Sequence, residues 1–265
     1  VRSLTRPSSA DALSLVSADG VRLSGLHRAR SGPICVVLAH GLTNATHKPS
    51  TLAVIDGFAR HFGVVAVDFR GHGRSGGRST VGRDETLDLD AAVRFARSAG
   101  YPDIVVVGFS MGASVALRQA VIGDDRPDAV VSVSAPSRWY IRDTSPMRRV
   151  HWMLESPVGG LAGRAMGIRL GEPWDVIPES PLEVVGRIDV PLLLVHGTAD
   201  HYFPVVHAAM LHRNASGSEL WIEPGMGHAE SATTPELVDR IADWIRRRAV
   251  LPSAPAETTR PGTLP

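Results

Sequence analysis

The chain has 265 residues, 43% hydrophobic and 21% charged, with 26 glycines and a formal net charge of +1. That length and composition suit a soluble globular protein with one full core, and the even charge balance gives no electrostatic basis for binding DNA, RNA or anionic lipid. The single cysteine, Cys35, lies in the apolar run I-C-V-V-L-A, so no internal disulfide can form and a buried thiol is expected.

The first residues, V-R-S-L-T-R-P-S-S-A-D-A, carry no apolar stretch after their charges and do not read as a secretion signal. No run approaches the roughly 18 apolar residues of a membrane span. A cytoplasmic location without integral membrane association is therefore expected, and the sequons at Asn44 and Asn214 read as coincidental.

Alternating apolar and polar residues at 12–17 and 21–27, joined by Ala18-Asp19-Gly20, predict an antiparallel hairpin. Short apolar, β-branched runs at 34–39, 63–68, 103–108, 128–133, 190–195 and 219–223 predict strands buried on both faces of a parallel sheet. Helical spacing of apolar residues marks 50–62, 85–98, 111–121 and 235–247. The basic run Arg246-Arg247-Arg248 at the last helix end complements the helix dipole. Strand and helix in alternation predict an α/β fold, with a mostly parallel central sheet and helices on both faces.

Residues 136–185 break the rhythm, with no strand run but with aromatics, methionines, arginines and repeated prolines. They read as an inserted cap of short helices before the last two core strands, leaving 1–135 and 186–250 as the core. The proline-rich stretch 251–265 has little to bury and reads as a disordered tail.

The motif G-F-S-M-G (108–112) stands where a buried strand ends and a helical pattern begins. In a strand–turn–helix, the middle residue of G-x-S-x-G sits on a tight bend with its side chain exposed, so Ser110 is a candidate nucleophile. A serine hydroxyl needs a base, and the base needs an orienting carboxylate. Asp200, in the loop H-G-T-A-D-H after the 190–195 strand, and His228, in G-M-G-H after the 219–223 strand, supply them in the chain order this topology requires. Asp175 is a rival acid but lies in the cap, while His196 and His201 read as packing or turn residues. For an oxyanion the backbone N–H of Met111 and that of Leu42, in A-H-G-L-T, are the candidate donors, with His40 shaping the latter loop.

These segments resemble the α/β-hydrolase superfamily, in its capped single-domain serine esterase/lipase-like branch. The resemblance spans roughly 20–250 and rests on A-H-G-L (39–42), D-F-R-G-H-G-R-S (68–75), G-F-S-M-G (108–112), H-G-T-A-D (196–200) and G-M-G-H (225–228). It implies a Ser-His-Asp hydrolase with no cofactor or metal, in which Asp68 and Arg70 brace loops. The leading expectation is a carboxylesterase or lipase-like enzyme acting on a small-molecule ester with an apolar acyl or aromatic group. Thioester hydrolysis, C–C bond hydrolysis or acyl transfer on the same triad are alternatives, and a receptor-like binding module is another. No metal-ligand spacing appears among the eleven histidines. The sequence does not speak to oligomeric state.

Overall fold

A computed structural model describes residues 12–156 and 158–249. Eight strands form one sheet in the order β1-β2-β4-β3-β5-β6-β7-β8. The hairpin β1 (Ala12–Val16) and β2 (Arg22–Arg28) is antiparallel, and β2 also runs antiparallel to β4 (Gly63–Val67). From β4 onward every pairing is parallel, through β3 (Ile34–Ala39), β5 (Asp103–Phe109), β6 (Ala129–Val133), β7 (Leu192–Gly197) and β8 (Glu219–Glu223). The strands β3, β4, β6 and β7 are buried at every position, as continuous apolar runs demand.

Alternate residues of each strand face opposite sides, so the sheet carries two cores. Val36 and Leu38 of β3 join Phe58 of α1 (Pro49–Ala59) and Trp244 of α8 (Pro235–Ala249). Val37 and Ala39 join Leu89 of α2 (Glu85–Ser98) and Leu117 of α3 (Met111–Ile122) on the other side. Phe58, Leu89 and Leu117 are fully buried, and each such side chain contributes about 1.5–3 kcal/mol through burial.

The connection from β6 to β7 holds α4 (Ser145–Glu155), α5 (Gly159–Ala165) and the one-turn α6 (Pro181–Val184). Thr144 caps α4, accepting the Met147 amide through its side chain. After α5 the chain returns across the loop that follows β4, through the bridges His72–Ile168 and Ser79–Leu170. A further helix, α7 (Val206–Asn214), lies between β7 and β8. No helix among the described residues is long and apolar enough to cross a membrane. The expected disordered tail, 251–265, lies outside the described residues.

Candidate active site

The strand order places β3 and β5 side by side although β4 lies between them in sequence. The connections leaving β3 and leaving β5 run to opposite sides, α1 on one face and α3 on the other, opening a crevice at the strands' C-terminal ends, where ligands of α/β sheets bind. The loop after β3 carries Leu42, and the turn after β5 carries Ser110.

Ser110 has φ 52° and ψ −116°, a left-handed conformation costly for a non-glycine residue. It is held because α3 doubles straight back onto the sheet. A Cβ on Gly108 would lie 2.6 Å from Ala113 Cα, and one on Gly112 would lie 2.6 Å from His40 O. Both positions must be glycine for the elbow to close. The elbow projects the serine side chain away from the helix axis.

Three loops then converge. Ser110 Oγ lies 2.9 Å from His228 Nε2, and His228 Nδ1 lies 2.7 Å from Asp200 Oδ2. Hydrogen bonding sets the direction of the relay: the serine hydroxyl donates to Nε2, and Nδ1–H donates to the carboxylate. The other Asp200 oxygen accepts the amides of Tyr202 at 2.8 Å and Phe203 at 3.0 Å. Burial pushes the Asp200 carboxyl up, but the His228 bond and charge and the two amides outweigh it and hold Asp200 below the usual carboxylate range. Tyr202 and Phe203 also flank the imidazole, with ring centroids 4.5 and 5.4 Å away. Two more left-handed residues, Ser134 and Ala229, are tied together where the Ala229 amide donates to Ser134 Oγ, fixing the histidine loop against the end of β6.

The loop after β3 is fastened from several sides. The Gly41 amide donates to Glu230 Oε1 at 2.7 Å, and His40 Nδ1 donates to Gly41 O at 2.8 Å. His72 Nε2 donates to Leu42 O at 2.7 Å. The amide of Leu42 donates to no group among the described residues, and that of Met111, first in α3, has no acceptor within its helix.

Asp68 accepts the amides of Thr46 at 2.6 Å and Arg74 at 3.0 Å. Arg70 pairs with Asp88 at 2.8 Å and Asp19 at 2.7 Å. Asp68 therefore ties the loop after β4 to the segment after β3, and Arg70 ties it to α2 and the β1–β2 turn. Asp175 lies at the surface, paired with Arg83 at 3.1 Å, and takes no part in the relay. His196 donates through Nε2 to Phe203 O at 2.8 Å, which steadies the turn carrying Asp200; His201 is exposed. Among the described residues no group of three or more His, Cys, Asp or Glu side chains could hold a metal ion.

Above Ser110 opens a cavity of about 400 Å³. Trp139, Met147, Leu154 and Trp174 line it from the β6–β7 connection, and Tyr202 lines it from the acid loop. Trp139 and Trp174 meet edge to face at 5.4 Å, each anchored through its indole N–H: Trp139 to Pro178 O and Trp174 to Thr80 O. The aromatic walls are thus fixed to backbone on both sides.

Sequence reasoning missed Glu230. Its only signal is an acid two residues after His228, which has the same appearance as any surface glutamate until folding brings it to Gly41.

Residues 36–242 match the model of the alpha/beta hydrolase family. The chain belongs to that family. Among curated proteins it is 28% identical over 225 residues to the uncharacterized protein YqkD of Bacillus subtilis, covering 82% of this chain and 72% of that one. Among solved structures it is similar to the esterase Pf2001 of Pyrococcus furiosus, with a TM-score of 0.72 and 26% identity over 90% of this chain and 91% of that one. The esterase RhEst1 of Rhodococcus sp. ECU1013 shares the fold at a TM-score of 0.68 and 20% identity, over 90% of this chain and 99% of that one. The eight-stranded, mostly parallel sheet is the alpha/beta hydrolase fold that the sequence motifs implied.

Proposed function

We propose that this alpha/beta hydrolase is a serine esterase that cleaves carboxylic esters through an acyl-enzyme, with Ser110 as nucleophile, His228 as base and Asp200 as the orienting acid. The observation that carries the reading is the continuous relay of 2.9 and 2.7 Å from Ser110 through His228 to Asp200, beside two backbone amides with no acceptor among the described residues. The likeness to the Pyrococcus furiosus esterase supports it.

In the first step His228 Nε2 takes the hydroxyl proton as Ser110 Oγ attacks the ester carbonyl carbon. The carbonyl oxygen becomes an alkoxide held by the amides of Leu42 and Met111. Asp200 keeps the proton on Nδ1 and stabilises the imidazolium. The tetrahedral species collapses, the C–O bond to the alcohol breaks, and His228 gives its proton to the departing oxygen. Water then enters, loses a proton to His228 and releases the acid from Ser110 by the same steps in reverse.

In this reading the β6–β7 connection acts as a cap, and the fixed aromatic and apolar walls of the cavity select an apolar acyl or aromatic group. The test is hydrolysis of p-nitrophenyl esters of graded chain length by the wild type and Ser110→Ala, alongside acyl-CoA and 1,3-diketone substrates. Wild-type ester turnover that falls by several orders of magnitude in the variant is expected. Equal rates in the two proteins reject the serine mechanism, and turnover of only thioesters or diketones reassigns the bond cleaved.

A further inference from the structure

Glu230 begins no chemistry in the scheme above, yet it is 3% exposed and lies beside the site. It sits in the 3₁₀ turn Ala229–Ala232, directly after the catalytic histidine. Its carboxylate crosses to a loop 189 positions earlier, where Oε1 accepts the Gly41 N–H. The side chain of Asn44 in that loop also hydrogen-bonds to it.

The geometry of the loop explains what this bond controls. The peptide joining Gly41 to Leu42 is planar and trans, so its C=O and N–H point in opposite directions. Its oxygen is fixed by His40 Nδ1 at 2.8 Å and by the Asn44 amide at 3.0 Å. What remains free is rotation about the two soft bonds of Gly41, which has no side chain to restrict them. The preceding peptide must therefore also be anchored if the Leu42 N–H is to hold its aim. Glu230 is that anchor, and it is buried where water cannot replace it.

We propose that Glu230 is a positioning residue for oxyanion stabilisation: by holding the Gly41 N–H it locks the loop after β3 and aims the Leu42 amide at the reacting carbonyl oxygen. The inference rests on the esterase reading. It also couples the two halves of the machinery, since the turn that carries His228 sets the oxyanion loop.

The test uses two substitutions in the full chain. Glu230→Gln keeps an acceptor oxygen for Gly41 but removes the charge; Glu230→Met fills similar volume without an acceptor. Two rates are read on each: ester hydrolysis, and phosphonylation of Ser110 by a fluorophosphonate, whose P=O oxygen uses the same amides without needing an ester substrate. A lost oxyanion donor costs about 10²–10³-fold, so a misaimed one should slow both rates by about 10–10²-fold in the Met variant, through kcat with KM held within threefold. The Gln variant should stay within about threefold of wild type, because a neutral acceptor satisfies the same N–H. A brace without catalytic consequence would lower the melting temperature of the Met variant and leave the phosphonylation rate of the folded protein unchanged, which overturns the proposal. A Gln variant slowed by about tenfold or more relative to wild type also overturns it, and this readout stands even if the Met variant does not fold. If the wild type is phosphonylated but turns over no ester, the esterase reading fails while the phosphonylation comparison still decides the role of Glu230.

Discussion

His228 Nδ1 stands 2.7 Å from Asp200 Oδ2, and the opposite oxygen of Asp200 is held by the amides of Tyr202 and Phe203. The carboxylate cannot rotate without breaking two further bonds, so it presents only an acceptor to the imidazole. Asp200→Asn preserves the shape and permits an N–H to face Nδ1. The imidazole then shifts its proton to Nε2, where it can no longer accept from Ser110. We expect kcat for p-nitrophenyl esters to fall by about 10⁴-fold with KM changed only a few-fold. A loss under tenfold would show that the histidine does not depend on this carboxylate.

The glycines of the elbow are predicted to differ sharply from others in the chain. A Cβ at Gly112 would lie 2.5 Å from Ala39 C and 2.6 Å from His40 O, both backbone atoms that cannot yield without moving β3. Gly112→Ala should lower the unfolding free energy by about 3 kcal/mol and disturb the oxyanion loop, reducing ester turnover as well. At Gly160, an exposed position in α5, nothing lies within 4 Å. Gly160→Ala should be neutral or stabilise by about 0.5–1 kcal/mol, because alanine loses less backbone entropy in a helix. Urea unfolding of the two variants checks the contrast; similar costs at both sites would contradict the close packing of the elbow.

Much of this arrangement is legible in sequence because local rules act on it. Buried parallel strands require continuous apolar runs, and β3 begins and ends at the predicted residues, 34–39. β8 spans the predicted 219–223 but, as the edge strand, is only partly buried and not covered on both faces as expected. The elbow is legible because two glycines and a serine are forced by one turn. Residues whose contacts are distant in sequence leave no such trace. Glu230 meets Gly41 only once the sheet is formed, and Asp88 looks like any acid in the first turn of a helix until Arg70 reaches it. The helix α7 escaped notice because its segment, V-H-A-A-M-L-H-R-N, mixes histidines and small residues and shows no clean apolar stripe.

The Arg70–Asp88 pair yields a prediction for the loop behind the site. The side chains are 4% and 0% exposed, and Asp88 also accepts the Arg70 backbone amide at 2.8 Å. Neutralising a buried partner leaves the other charge uncompensated, at a cost of about 3–5 kcal/mol. Asp88→Asn retains an acceptor for the amide, and Asp19 remains 2.7 Å from the guanidinium, so the lower end, about 3 kcal/mol, is expected. Asp19→Asn, on a half-exposed partner, should cost under about 1 kcal/mol. Equal costs from chemical denaturation of the two variants would mean that the pair is not sequestered from water.

His40 gives a pH signature that a comparison of wild type with a His40 variant can read. It is fully buried, its Nδ1 donates to Gly41 O and its Nε2 accepts the Phe69 amide at 3.0 Å, and this second bond requires the neutral ring. Burial, helped by repulsion from His72, depresses its pKa to about 4, with Asp68 pulling weakly the other way. The unfolded chain takes up this proton near pH 6.5, whereas the folded protein resists it until about 4. Between those values the unfolded state binds more protons, and stability contributed by His40 is complete above the upper value and is lost as pH falls toward the lower one. The shift corresponds to about 3 kcal/mol. Other groups titrate over the same range, so the measurement is a difference: the unfolding free energy of wild type minus that of His40→Gln, which has no proton to gain. That difference should shrink by about 3 kcal/mol from pH 7 to pH 4, and a histidine NMR titration should show a ring resonance, missing from His40→Gln, that is still unprotonated at pH 5. A difference that stays constant across the range would mean that the loop after β3 admits a charged imidazole, and the fixed geometry around Leu42 would then have to be abandoned.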